Sequence, residues 1–331
     1  MTDSELQRHL QSVVPSQAHD GLIESVLPTL LDSISHIAKA LRSSHYVSRA
    51  GSANAFGDDQ LNVDVLAENS IRSAISQCPF VVTASSEEDP VERSARNQQE
   101  SPTSSLAGEH YTVAFDPLDG SSIIAPNWTV GTIIGVWQGK TALNQSPASR
   151  QVAAVLGIYG PRTTAIVALR VPGSESACLE IGIGDNGVRD CEIIRPAVRL
   201  AEAPFQTRYF APANLRAAAD NEKYMGLVTH FIRNRYTLRY SGGLVPDVVH
   251  ALVKGHGIYI SPVTAASKAK LRRLYELFPL ALVIECAGGK AIDPADGVDI
   301  LDRALMDLNE TAGLVCGTAD EVDFAKKILL D

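Results

Sequence analysis

Long apolar runs are missing from this chain: no uninterrupted stretch reaches the ~18 residues of a membrane span. The opening MTDSELQRHL is polar and acid-biased, with no apolar segment behind basic residues. A membrane-spanning protein is not expected, nor is a secretory leader, and a cytoplasmic location is the default. Basic charge is also short. Lys+Arg number 29 against Asp+Glu 38, a formal charge of −9, and a broad nucleic-acid footprint would need a basic face instead. A small anion remains admissible wherever a bound cation or a few clustered Arg and Lys reverse the local field. Cysteine is scarce: Cys78, Cys178, Cys191, Cys286 and Cys316 are scattered, with no C-x-x-C spacing. They read as reduced core thiols rather than a disulfide framework or thiolate metal site.

What is present is ordinary globular composition. Hydrophobic residues make up 45% of the 331 and charged residues 20%, so neither disorder nor a fibrous repeat is indicated. The length suits two sub-domains or one large layered domain. Apolar residues recur at helical spacing from Leu22 to Leu41, with Pro28 marking a kink or the first turn. DQLNVDVLAENSIRSAI reads as a second helix and FVVTASSEED as a short strand ending in acids, followed by a polar, mobile loop, RSARNQQESPTSSLAGEH. YTVAFD, TVGTIIGVW, QVAAVLGIYG, TAIVALRV and ACLEIGIG are β-rich runs separated by Gly or Pro, which predicts a sheet of several strands. Beyond residue 200 the pattern alternates. NEKYMGLVTHFIRNRY, VPDVVHALVKG and KAKLRRLYELFPLALVIECAGG read as helices, GIYIS and TAGLVCG as strands. We therefore divide the chain into a tail (1–19) and two α/β sub-domains (20–200 and 201–331).

The stretch AFDPLDGSSII places two acids three positions apart around a proline. Asp116 ends a strand, Pro117 turns the chain, and Asp119 then lies close enough that mutual repulsion raises a pKa unless a cation intervenes. Hard carboxylate oxygens without nearby His or Cys suit Mg²⁺ or Mn²⁺. Gly120 permits close backbone approach, while Ser121 and Ser122 open a short helix whose N–H groups and hydroxyls suit phosphate. A turn with an aspartate capping a helix also accounts for DPLD taken alone. Two further acidic groups favour metal: Glu87 and Glu88 at a strand end, and Asp58, Asp59 and Asp64 in a Gly-led segment entering a helix.

Together, GDDQLNVDVLAEN, SSEED, FDPLDGSSII, VGTIIGVW, GIYGPRTT, RYSGGLVPDV and AKLRRLYELFPLALVIECAGG resemble the fructose-1,6-bisphosphatase superfamily, and within it the sedoheptulose-1,7-bisphosphatases, from about Asp20 to the C-terminus. The resemblance implies a layered α-β-α-β-α sugar phosphatase fold, two or more Mg²⁺ (or Mn²⁺) ions per site, and a homodimer or homotetramer. It implies metal ligation by Glu87, Glu88, Asp116, the carbonyl of Leu118, Asp119 and Glu276. Asp58, Asp64 and Glu88 would order the metals and activate the attacking water, and Gly120, Ser121 and Ser122 would hold the scissile phosphate. Asn214, Arg216, Arg239, Tyr240 and Lys270 would contact the sugar and its distal phosphate; residue by residue, a surface ion pair also accounts for the cations.

Departures from the family pattern refine this expectation. Asn-Leu-Arg in PANLRAAADN, a short RNRYTLRYSGG connection, and the loss of a tyrosine near Ser261 favour a seven-carbon bisphosphate, with fructose 1,6-bisphosphate as an overlapping substrate. Ala125 stands where the family carries Asp, which implies weaker orientation of the site and keeps open a non-catalytic phosphosugar-binding protein; a fructose bisphosphatase is the other alternative. No cysteine precedes Cys78, so the paired-cysteine switch of the plastid enzymes is not expected.

Overall fold

Alternation along the strand Tyr111–Asp119 sets the layers. Tyr111, Val113 and Phe115 point into one apolar cluster and Ala114 into another on the opposite face, as a period of two requires. The computed structural model describes residues 5–15, 17–53, 59–96, 108–268 and 270–331.

This strand belongs to an eight-stranded sheet in the order Gly187–Arg195, Ala177–Gly184, Thr163–Leu169, Gln151–Tyr159, Val130–Gln138, Tyr111–Asp119, Val81–Ser86, Arg93–Ser94. Pairing is antiparallel except between Val81–Ser86 and Tyr111–Asp119. One face is covered by the helices Leu27–Ser43 and Asn62–Ser76, whose Leu30, Leu31, Ile34, Val63 and Ile71 are fully buried. Each such side chain contributes about 1.5–3 kcal/mol by leaving water. The other face packs on the helices Leu244–Lys254 and Phe278–Cys286. Phe278–Cys286 is apolar on nearly every side, as a helix between two sheets must be.

Beyond those helices lies a five-stranded sheet in the order Thr237–Leu238, Tyr209–Pro212, Ile258–Ser261, Leu314–Gly317, Lys290–Ile292. Its outer face, with Phe210, Ile258, Ile260 and Val315, is covered by Glu222–Arg233 and Ala319–Leu330. The layers therefore run α-β-α-β-α, as expected.

Several local readings change. The segment taken as a tail carries a helix, Glu5–Val13, whose Leu6 and Leu10 are buried in the first cluster. KAKLRRLYELFPLALVIECAGG is not one helix: Leu271–Arg272 is a short strand, Arg273–Leu277 a wide turn closed by Phe278 N–H donating to Arg273 O, and the α-helix starts at Phe278. Pro279 explains this, because its ring would clash with the Tyr275 carbonyl in an ordinary α-turn. Pro28 does the same after the wide turn Leu22–Val26 and sits in the first turn of the next helix. The strands Gly187–Arg195 and Tyr209–Pro212 and the helix Ala319–Leu330 were not among the expected elements. All five cysteines are free, and among the described residues no helix is long and apolar enough to cross a membrane.

Candidate active site

A break in strand register assembles the acids. Asp116 pairs with Ile133 and Asp119 with Gly131, so three steps on one strand oppose two on its neighbour. In an uninterrupted strand, residues three apart face opposite sides; the extra residue of this bulge turns both carboxylates to the same side. The bulge is pinned by Thr132 Oγ1, which donates to Pro117 O at 2.7 Å and meets Tyr159 OH at 2.7 Å. Leu118 N–H donates to Asp116 Oδ1 at 3.0 Å.

Asp119 is then met by a helix start. Leu244 and Val245 donate their N–H groups to its two oxygens at 3.1 and 2.7 Å. Gly131 permits the approach, since a Cβ there would meet the Val245 side chain at 2.5 Å. Burial pushes the Asp119 carboxyl up to about 6; the two amides pull the other way and Asp247 adds repulsion.

Asp116 and Glu276 share this environment although they lie far apart in sequence. Burial raises Asp116 well above the usual carboxylate range, helped by the charges of Glu87, Glu276 and Asp119. Glu276 is raised first by burial and then by Glu87. Glu87 is anchored through its N–H to Phe115 O at 3.0 Å. Arg272, four residues before Glu276, donates its N–H to the Glu276 carboxylate and brings its Nε 3.7 Å from Glu87 Oε1. The Arg272 guanidinium therefore stands beside Glu87 and acts on Glu276. Among the described residues, no group of three or more His, Cys, Asp and Glu side chains is in position to hold a metal ion. The chemistry of the donors nonetheless fits a hard divalent cation: the repelling set is all oxygen, and an ionised carboxylate held by one N–H keeps further lone pairs.

The remaining expected residues divide. Glu88 accepts from Gln60 Nε2. Asp64 is buried at the start of its helix and accepts Leu61 N–H at 2.8 Å, while its other oxygen is buried without a hydrogen-bond partner among the described residues. Burial pushes Asp64 up to about 6, but it does not figure among the charges acting on Asp116, Asp119 or Glu276. Asp58 lies outside the described residues. Gly120 has φ of +100°, and Ser121 and Ser122 are exposed at the head of a helix only four residues long. Ala125 is exposed just past that helix.

On the far side, Tyr259 is raised first by burial and then by Tyr240, Asp247 and Asp119, which links the acids to the Tyr240 surface. Arg216 acts on Tyr240. Arg239 donates to Leu238 O at 2.8 Å and stacks on Tyr209 with 5.8 Å to the ring centroid. Lys270 is exposed. Asn214 is committed internally: it donates to Pro262 O at 2.7 Å and accepts the Ser267 hydroxyl, so it clips a loop instead of presenting a free amide. A cavity of about 990 Å³ is lined by Trp128, Arg162, Arg239, Tyr240, Asp247 and His250, and none of Glu87, Asp116, Asp119 and Glu276 lines it. Arg272 and the Leu244–Val245 amides were not foreseen; the signal for Arg272 was its place one helical turn before Glu276.

Residues 4–186 match the family described as Fructose-1-6-bisphosphatase, N-terminal domain, and residues 203–330 match Fructose-1-6-bisphosphatase, C-terminal domain. A chloroplastic sedoheptulose-1,7-bisphosphatase of Triticum aestivum is 40% identical over 270 residues, covering 81% of this chain and 63% of the wheat protein. A class 1 fructose-1,6-bisphosphatase of Syntrophotalea carbinolica is 31% identical, covering 94% of this chain and 89% of its own length. The crystal structure of a candidate sedoheptulose-1,7 bisphosphatase from Toxoplasma gondii superposes with a TM-score of 0.84 at 34% identity, covering 98% of both chains. With a bulged strand that gathers acids from both halves of the molecule and both halves matched, the chain belongs to the fructose-1,6-bisphosphatase family.

Proposed function

We propose that the chain is a divalent-metal-dependent phosphomonoester hydrolase that removes the 1-phosphate of sedoheptulose 1,7-bisphosphate and accepts fructose 1,6-bisphosphate as an overlapping substrate. The observation that carries this reading is the cluster in which the buried Asp116 is charged against by Glu87, Glu276 and Asp119, with Gly120-Ser121-Ser122 following directly. Kinship to both sedoheptulose and fructose bisphosphatases supports the substrate class.

In this reading Glu87, Glu88, Asp116, Asp119, Glu276 and the Leu118 carbonyl hold two or more Mg²⁺ or Mn²⁺ ions. Bound metal supplies Lewis-acid polarisation of the phosphoryl oxygens and a water of lowered pKa. The chain does the rest by position. Asp116 and Asp119 are kept on one side by the bulge, and the Leu244 and Val245 amides stop Asp119 from turning away. Asp58, Asp64 and Glu88 orient the attacking water and accept its proton. Gly120 brings the backbone close to the scissile phosphate, and Ser121 and Ser122 donate to its oxygens. Arg216, Arg239, Tyr240 and Lys270 neutralise and orient the distal phosphate, while Asn214 acts on the sugar through the loop that it clips. Positioning and charge neutralisation of this kind account for most of the catalysis of phosphoryl transfer.

A homodimer or homotetramer goes with the proposal, supported by exposed Trp128, Leu238 and Tyr240. A cytoplasmic location is supported by five cysteines that are all free. Phosphate release from both sugars, with and without a chelator, tests the activity. No release from either in excess Mg²⁺ sinks it, and a clear preference for the six-carbon sugar turns it into a fructose bisphosphatase.

A further inference from the structure

Glu276 reaches the acid cluster on a segment with little regular structure. Among the described residues Leu271–Arg272 pairs only with Thr311–Ala312, and a two-residue, two-stranded pairing is marginal by itself. One more backbone bond, Arg273 N–H to Glu310 O at 2.9 Å, ties the wide turn Arg273–Leu277 to the same partner segment. Arg272 and Glu276 sit at the two ends of this turn. Any rotation of it moves a cation and an acid of the cluster together.

The rotation is fixed from the opposite side by Arg273. This side chain is 6% exposed. Its Nη2 donates to Asp293 Oδ2 at 2.6 Å, and its Nε lies 3.6 Å from Glu310 Oε2. Asp293 is itself held: its Oδ1 accepts Ala295 N–H at 3.0 Å, and Arg303 Nη1 stands 3.9 Å from Oδ2. The remaining nitrogen, Nη1 of Arg273, is buried without a hydrogen-bond partner among the described residues. A buried ion pair with an unmet donor is a poor source of stability, since desolvation offsets most of the attraction. It does give direction, because a guanidinium held by two carboxylates from separate segments has one orientation.

We propose that Arg273 is a positioning residue: its buried pairing with Asp293 and Glu310 sets the rotation of the wide turn and so holds Arg272 and Glu276 at the carboxylate cluster. The proposal rests on the metal-dependent phosphatase reading above. Its chemical content is that metal affinity, rather than the chemical step, depends on a residue that touches neither metal nor substrate.

The test uses the full-length chain and Mn²⁺ alone, with binding followed by electron paramagnetic resonance and melting temperature measured beside it. Arg273→Met is expected to raise the Mn²⁺ dissociation constant about 10- to 100-fold, the usual effect of losing a residue that supports metal ligands. Arg273→Lys should recover part of that loss, because it keeps the charge without the two-pronged geometry. Asp293→Asn keeps the shape of its site and should weaken binding in the same direction, which covers the case in which Arg273→Met does not fold. Arg170→Met, which removes the 2.7 Å pair with Glu285 at the other end of the Phe278–Cys286 helix, should lower the melting temperature and leave Mn²⁺ binding unchanged. In phosphate release, Arg273→Met should raise the metal concentration for half-activation and largely keep kcat at saturating metal. A lower melting temperature with unchanged Mn²⁺ affinity in both Arg273→Met and Asp293→Asn overturns the positioning role while leaving the phosphatase reading intact. Wild-type chain that binds no Mn²⁺ and releases no phosphate overturns both.

Discussion

Val245 N–H donates to Asp119 Oδ2 at 2.7 Å across a sequence separation of 126 residues, and through that bond a helix of the C-terminal half orients an acid of the N-terminal half. The contact depends on Gly131, which lies opposite Asp119 in the sheet. Gly131→Ala is therefore expected to push the Leu244–Lys254 helix away. Overpacking of this kind costs about 1–3 kcal/mol, and activity should fall by more than the melting temperature alone explains, measured as kcat at saturating metal. Unchanged kcat would show that the helix start is not needed to orient Asp119.

Burial of these acids, with repulsion added at Asp116 and Glu276, has a measurable sign. Asp64 and Asp119 are pushed up to about 6, and Asp116 and Glu276 are raised as well. Between the unfolded carboxylate range near 4 and these folded values the native chain binds more protons than the unfolded one, so stability rises as pH falls through that window. Metal-free protein should melt higher at pH 5.5 than at pH 7.5, and Asp119→Asn should flatten the difference. A melting temperature that only falls on acidification contradicts the raised carboxylates.

Removing one acid should separate stability from function. Asp116→Asn relieves a buried charge, so the metal-free protein should melt a few degrees higher, as a gain on the order of 1 kcal/mol produces in a protein this large. Phosphate release should drop by roughly a thousandfold or more, on the scale reported for removing key electrostatic groups.

Metal and stability are linked by mass action. Mg²⁺ or Mn²⁺ at about 100 times the dissociation constant should stabilise the chain by about 2.7 kcal/mol, and a chelator should reverse both the melting shift and the activity. Absence of any melting shift at millimolar metal would remove the cation from the proposal.

Asn214 offers a test of the substrate side. Asn214→Ala frees the loop held through Pro262 and Ser267, which costs about 1–3 kcal/mol if a buried polar partner is left unmet. KM for the bisphosphate should rise with kcat nearly unchanged; a loss confined to kcat would place Asn214 at the reacting centre instead.

The sequence made some of this readable and concealed the rest for physical reasons. β-rich runs bounded by Gly or Pro predicted six strands of the large sheet, and the Asp-Pro-Leu-Asp spacing flagged the acids, because strand composition and proline act locally. The bulge could not be seen, since it is a relation between Asp116–Asp119 and Ile133–Gly131. Glu276 came only through resemblance: its neighbours in sequence are apolar, and its partners are far along the chain. The helix expected over residues 268–289 started late because Pro279 overrode the propensity of the residues before it. Val322, Ala325 and Leu329 are spaced for the last helix, but their modest apolar contrast left it unread.

The register break between Asp116 and Asp119 also limits which changes in length the chain can survive. Upstream of it, odd-numbered side chains enter the hydrocarbon beneath the Leu27–Ser43 helix and even-numbered ones face the other way. Inserting a single residue between Gly131 and Ile133 on the facing strand would remove the mismatch, restore that beat through all three steps and turn the second carboxylate toward the oily layer beside Phe115. Swapping side chains along this stretch would leave the two carboxylates on one side, whereas lengthening the facing strand by one would send a charge into the core.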